Sequence, residues 1–371
     1  MKLTNPDIIY WIASGYLEGI GPIRLKNALE IFGNIKTFFT APTELLQQAG
    51  ISAKQIHTIK NIPWKIIEND LAWYEKNDCH LLTWVDEDYP KLLQETADAP
   101  PVLYVQGDAQ LLNQAQLAMV GSRNPTATGL ETAEQFAYAL SQSGLVVTSG
   151  LALGIDAASH RGALAASDKT IAVMGTGLKQ IYPKTNFELA QQIKRKGAIV
   201  SEFPAGMPAK AKYFPLRNRL ISGLSLGVLV VEAALKSGSL ITARFAAEQG
   251  REVFAIPSSI HHPLGKGCHH LIRQGAKLVE NVEDILVELN PLHGSISKKT
   301  RYFDTPSGNN IEDIDDKSQQ LLMRIGYEPT ALDTIVVRSG LTSSEVSSML
   351  LSLELKGYID TVPGGYTRNR N

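Results

Sequence analysis

From about Leu81 onward the chain alternates short apolar runs, rich in β-branched residues, with stretches of helical length. LAMV before Gly121, VVTS before Gly150, TIAVM before Gly175, AIVS before Glu202, GVLVV before Glu232 and VFAI before Pro257 each stop at a turn-forming or polar residue. The runs are continuous rather than alternating, the pattern of strands covered on both faces. Six such strands separated by helices predict an α/β fold, a doubly wound and mostly parallel sheet. Ligands of these sheets bind beyond the carboxyl ends of the strands, so the residues that follow each run are the functional candidates.

The flanks follow other patterns. Residues 1–80 read as short amphipathic helices punctuated by glycine and proline. In GYLEGIGPIRLKNALEIFG, the apolar positions Leu17, Ile20, Ile23 and Leu25 around Gly19, Gly21 and Pro22 predict a helix, a tight hairpin and a second helix. A hairpin of this type is either a sequence-independent phosphate contact through helix N–H groups or a plain connector in a small helical domain. AGISAKQIHTIK is a weaker echo of it. The sheet domain is expected over 81–289, followed by a polar, aperiodic linker over 290–316. Residues 317–371 carry three helical stretches and then YIDTVPGGYT, a ribbon with a glycine turn, the layout of a winged helix.

Composition narrows the partners. The 371 residues carry 36 Lys and Arg against 37 Asp and Glu, so a polyanion site must be a local patch. Only two cysteines occur, Cys79 and Cys268, without metal-type spacing, which points to a reducing, cytoplasmic setting. No segment approaches the ~20 apolar residues of a membrane span, and MKLTNPDIIYWIA lacks the features of a signal peptide.

One patch stands out. Between Phe203 and Val231 there is no aspartate or glutamate, yet Lys210, Lys212, Arg217 and Arg219 lie there, with YFPLRNRLIS at the centre. Arg217, Asn218 and Arg219 offer phosphate-pairing groups beside Tyr213 and Phe214, which offer stacking surfaces. An ordinary turn with its aromatic rings packed inward would have the same composition. Three strand ends add to the patch. Gly121, Ser122 and Arg123 precede a helix that Thr126 or Thr128 would cap, and this grouping suits an anion. Ser237, Gly238 and Ser239 form a second possible nest at a helix start. Lys184, after the Gly175 and Gly177 turn, faces the rim of Arg123 if the two strands are neighbours.

Other polar residues read as structural. Gly150 and Gly154 bracket a loop that Asp156 would shape through backbone hydrogen bonds. His160 has no nucleophile at a fixed spacing and reads as a packing residue. Glu232 is the acidic residue placed for acid–base work, although anchoring a loop suits it better. His261, His262, Cys268, His269 and His270 bring zinc to mind, but adjacent histidines do not readily converge on one tetrahedral centre, and no metal or other cofactor is expected.

In order along about 160 residues, GSR, SGLALGID, YPKTN, SEFPAG, FPLRNRLISGLS, VVEA with SGSLITA, and GCHHLIRQGA closely resemble the DprA (Smf) family of DNA-processing proteins. The resemblance implies a Rossmann-like domain that binds single-stranded DNA without sequence preference and delivers it to the RecA recombinase in natural transformation, without catalysis. It also implies a homodimer through that domain. Carried onto this chain, the contact residues are Arg123, Lys184, Arg217 and Arg219; from the residues themselves, Phe214 or Tyr213 is the expected stacking ring. Cys268-His269-His270 departs from the family pattern. The rival reading is a nucleotide-processing enzyme of the related phosphoribohydrolase group, but here Glu232 precedes the glycine turn instead of following it.

Overall fold

A computed structural model describes residues 6–167, 169–293, 315–327 and 329–369. It divides into two compact units, Met1–Lys298 and Lys299–Asn371, which are considered separately.

The first unit is built on a nine-stranded sheet: β1 (His80–Thr83), β2 (Val102–Gly107), β3 (Gln116–Val120), β4 (Val146–Ser149), β5 (Thr170–Val173), β6 (Ala198–Ser201), β7 (Gly227–Val230), β8 (Glu252–Ala255) and β9 (Lys277–Leu278). The order is β1-β2-β6-β5-β4-β3-β7-β8-β9. Strands β3 to β9 run parallel, while β2 pairs antiparallel with both β1 and β6. The six apolar runs are β3 to β8. The other three strands escape a pattern search because β1 and β2 form an antiparallel edge without an intervening crossover of the usual kind and β9 has two residues.

Chain order runs outward from β3 through β4 and β5 to β6, then returns to place β7 on the other side of β3. The two faces are filled accordingly. Leu117, Met119 and Val147 pack with Ala133, Leu140 and Ile155 from the helices that follow β3 and β4. Ala118 and Val120 pack with Leu220, Ile221 and Ala243 from those on either side of β7. Pairing Val120 with Val230 makes Gly121 and the residues after Val231 leave the sheet side by side, at a topological switch point.

The helical N-terminal segment shares this unit. Ile12, Phe38, Leu46 and Ile67 form one apolar cluster with Val102, Tyr104, Ala172 and Ile199 of the sheet. A part-buried polar clamp joins the same parts. Asp70 accepts hydrogen bonds from Tyr16 (2.7 Å) and from Lys179 (2.7 Å), on the loop after β5. The expected hairpin turns at Gly19, whose φ is +77°. Its carbonyl accepts from Arg24 and from Gln55, so the hairpin and its echo are tied together. Leu17, Ile20 and Leu25 are buried there, but Ile23 is exposed.

At the other end of the unit a helix runs Val282–His293, past the expected start of the linker at 290. The remainder of that stretch up to residue 314 lies outside the described residues. The second unit has helices Asp316–Arg324, Leu332–Ser339 and Ser343–Leu355 and the antiparallel ribbon Ile359–Val362 with Gly365–Arg368, a winged helix. Thr342 and Glu345 form a capping box at the start of its third helix.

His160 is a packing residue with a measurable consequence. It is fully buried, its Nδ1 lies 2.8 Å from Thr170 Oγ1, and its Nε2 has no hydrogen-bond partner among the described residues. Burial, reinforced by Arg217 and Arg161, lowers its pKa to about 3. The unfolded chain binds a proton near pH 6.5 that the native chain refuses. Its contribution is therefore full above about pH 6.5 and falls as the pH drops toward 3. Between pH 7 and 5 the loss is about 2 kcal/mol, and His160→Gln should remove that part of the acid sensitivity in urea titrations at the two pH values.

Candidate nucleic-acid interface

Three strand ends are locked together at the switch point. The Ser122 N–H donates to the Glu232 carbonyl (2.7 Å), and the Ser122 carbonyl accepts from the Ile155 N–H (3.1 Å). Gly121 has no room for a side chain, since a Cβ there would lie 2.6 Å from Ile155 Cγ1 and 2.9 Å from the Glu232 carbonyl. Glu232 is consumed in this framework. Its carboxylate accepts from the Thr126 N–H (3.0 Å) and hydroxyl (2.6 Å), while Thr126 Oγ1 caps the helix Ala127–Gln142 through the Gly129 N–H. The carboxylate thus anchors the helix start, in keeping with the structural role expected of it.

Above this framework lies a crevice of about 800 Å³. Gly121, Ser122 and Arg123, after β3, line it together with Lys236 and Ser237-Gly238-Ser239, from the segment after β7. The Ser237 and Ser239 hydroxyls are 2.7 Å apart at the start of the helix Ser239–Glu248. Asn218 reaches across from the helix Tyr213–Gly223 toward the Gly238 carbonyl (3.4 Å). Arg123 is exposed, has no ion-pair partner among the described residues, and holds its guanidinium 6.0 Å from the centre of the Phe214 ring. Phe214 packs on Gly175, where an added Cβ would lie 2.8 Å from the ring, and against Tyr182 at 5.3 Å. The ring is therefore both a loop anchor and a crevice wall.

The two arginines of the acid-free window behave differently from a phosphate clamp. YFPLRNRLIS is helical, and residues two apart on a helix point to nearly opposite sides. Arg217 turns inward and is buried, although it also lines the crevice. Its Nη1 donates to the carbonyls of Gly150 (2.7 Å) and Val173, and its Nε donates to Asn218 Oδ1 (3.2 Å). Burial lowers its pKa to about 10, partly offset by Asp156. Arg219 points away, pairing with Glu202 and with Asp98, whose carbonyl it also binds (2.8 Å). Arg219 does not line the crevice whereas Arg217 does, so the expected wall is corrected to Arg217 alone, and both groups are buried and committed to protein carbonyls or carboxylates.

Gly150 and Gly154 also act below the surface. A Cβ on Gly150 would meet the Arg217 guanidinium at 2.6 Å, and Gly154 adopts φ +77° with the Ser122 carbonyl where its Cβ would be. Asp156 accepts from the N–H groups of Gly150 (3.2 Å) and Ala152 (3.3 Å). Burial raises its pKa, and Arg217 works in the opposite direction. Lys184 is exposed and is not among the lining residues, although Tyr182 two positions earlier on the same loop is. Sequence reasoning passed over Lys236 and Tyr182. Lys236 directly precedes the serine nest, which was the available signal. Cys268, at the unusual CHH turn, is buried with its sulfur 3.6 Å from the Val230 carbonyl, under the end of β7.

Comparison with known proteins agrees with this architecture. The model of the family described as DNA recombination-mediator protein A matches residues 80–290, and that of the DprA winged helix domain matches residues 305–365. Protein Smf of Escherichia coli K12 is 44% identical over 328 residues, covering 88% of this chain and 87% of the relative. The solved DNA processing protein A of Streptococcus pneumoniae superposes with a TM-score of 0.68 at 37% identity, covering 76% of this chain and 97% of that one. DNA processing protein A of Helicobacter pylori, described for its single-stranded DNA binding mode, gives 0.52 at 31% identity, covering 57% and 96%. With both domain models in sequence order and relatives this similar over most of the chain, the protein belongs to the DprA family of DNA-processing proteins.

Proposed function

We propose that this protein binds single-stranded DNA along the crevice at the switch point, with phosphates on the outer rim and bases directed inward. The observation that carries the reading is that two cations without ion-pair partners among the described residues, Arg123 and Lys236, line one crevice with the Phe214 ring, which lies 6.0 Å from the Arg123 guanidinium. Ser237 and Ser239, at a helix start, add hydroxyl and N–H groups suited to an anion. Exposed bases stack on an aromatic ring in any sequence, contributing on the order of 1 to 3 kcal/mol each. A closed duplex presents no such faces. Binding rather than catalysis fits Glu232, whose carboxylate is engaged by Thr126.

The proposal extends to the cellular role that the family resemblance implies. A homodimer protects incoming single-stranded DNA in the cytoplasm and loads RecA on it during natural transformation. The winged helix is assigned to protein contact, because its helix Ser343–Leu355 carries Glu345 and Glu354 and no basic residue.

The test is an anisotropy titration with single-stranded and duplex DNA at two salt concentrations. The parent should prefer the single strand. Arg123→Ala should weaken binding by about tenfold, the scale of one charge-assisted hydrogen bond, and should flatten the salt dependence by about 0.7 in the log–log slope. Preference for the duplex, or an unchanged slope and affinity in Arg123→Ala, would sink the reading.

A further inference from the structure

The crevice contains a feature that a phosphate site does not need. Asp156 lies among its lining residues, together with Arg123, Arg217, Lys236 and neutral groups. One carboxylate oxygen, Oδ2, accepts from Gly150 and Ala152, while Oδ1 has no hydrogen bond among the described residues. A carboxylate oxygen left open in a cationic crevice repels phosphate and accepts hydrogen bonds from N–H groups.

Its position relative to the stacking ring follows from shared neighbours. Asp156 binds the Gly150 N–H and Arg217 binds the Gly150 carbonyl, so both flank one glycine. Phe214 stands one helical turn before Arg217, on the same face of the helix Tyr213–Gly223, and also lines the crevice. A base lying on the Phe214 ring therefore has its polar edge within reach of the crevice floor.

We infer that Asp156 is a base-reading residue, whose open carboxylate oxygen accepts a hydrogen bond from the exocyclic amino group of a base stacked on Phe214. This rests on the single-strand reading above and sharpens it: the phosphates are held without regard to sequence, but one base position favours an amino-bearing edge. Cytosine offers such a donor at C4, where uracil presents a carbonyl oxygen that the carboxylate repels. The same charge keeps phosphates off the floor and sets the bases-inward orientation.

The test compares labelled dC15 and dU15, whose bases differ at C4, amino against carbonyl, and at the adjacent N3, acceptor against N–H, in anisotropy titrations at one fixed salt concentration. The parent should bind dC15 about fivefold more tightly, the lower end of the discrimination from a directed base contact. In Asp156→Asn the amide oxygen can keep the bonds from Gly150 and Ala152, turning the amide N–H group toward the crevice, and the preference should reverse to dU15. Thermal unfolding of the variant checks that it is folded, and the parent comparison stands without it. Equal binding of the two oligomers by the parent, or a cytosine preference that persists in Asp156→Asn, would overturn the inference while leaving single-strand binding intact. Failure to bind either oligomer would overturn both.

Discussion

Arg217→Ala should destabilise the first unit by about 3 kcal/mol or more, seen as a fall in the urea midpoint with little change in slope. The guanidinium is buried and serves the carbonyls of Gly150 and Val173 at once, joining the ends of β4 and β5 to the helix that leads into β7. Truncation leaves those oxygens without their donor and removes the positive charge that offsets the burial of Asp156. A buried acceptor stripped of its partner costs more than the bond was worth, because water is not there to replace it. Arg217→Lys should recover only part of the loss, since a single ammonium cannot reproduce the planar fork. The sequence-level reading of Arg217 as a phosphate clamp predicts the opposite, an unaltered midpoint with weakened DNA binding. That result would reject the framework role.

Gly154→Ala is expected to cost a similar amount, about 3 kcal/mol, and to weaken DNA binding with it. Gly154 has φ +77° and ψ −126°, a conformation in which other residues are strained by about 1 to 3 kcal/mol. Space adds to the penalty. A Cβ would stand 2.3 Å from the Ser122 carbonyl and 2.7 Å from Pro125 Cδ, so the loop that carries Arg123 must move. Gly238→Ala is the matching control for stability, because its φ is −63° and nothing lies within 4 Å of the added atom. Thermal melts of the two variants should separate by well over 5 °C. If they coincide, the steric account of Gly154 is wrong.

These contrasts show where the sequence was legible. The central strands could be read because each is a continuous apolar run closed by a turn residue. Positions immediately after such runs are confined by sheet geometry, so the amino-acid sequence alone places Gly121, Ser122, Arg123 and the Ser237–Ser239 nest at one crevice. The arginine pair failed for a local reason. Whether Arg217 and Arg219 share a direction depends on whether their segment is extended or helical, and FPLRNRLIS carries a proline near its start that suits either. Their partners, Gly150, Val173, Glu202 and Asp98, are far away in sequence, and no periodicity announces them. Lys184 depends on the path of the loop after β5, which brings Tyr182 to the crevice but not the lysine two positions later. Asp156 was read correctly as a loop-shaping group, but its opening into the crevice depends on the path of that loop.

The clamp of Tyr16, Asp70 and Lys179 bears on how this protein could be cut or recombined. Lys179 also rests 5.4 Å from the centre of the Trp73 ring, so the helical segment supplies both the counter-charge and the aromatic seat for a residue on the loop leading to Tyr182. Truncation at the start of the sheet would uncover Val102, Tyr104 and Ile199 and leave that lysine without either support. The first eighty residues are thus a poor place for a module boundary: a fragment or chimera that begins at His80 inherits a sheet with one flank unroofed and a crevice loop cut loose from its mooring.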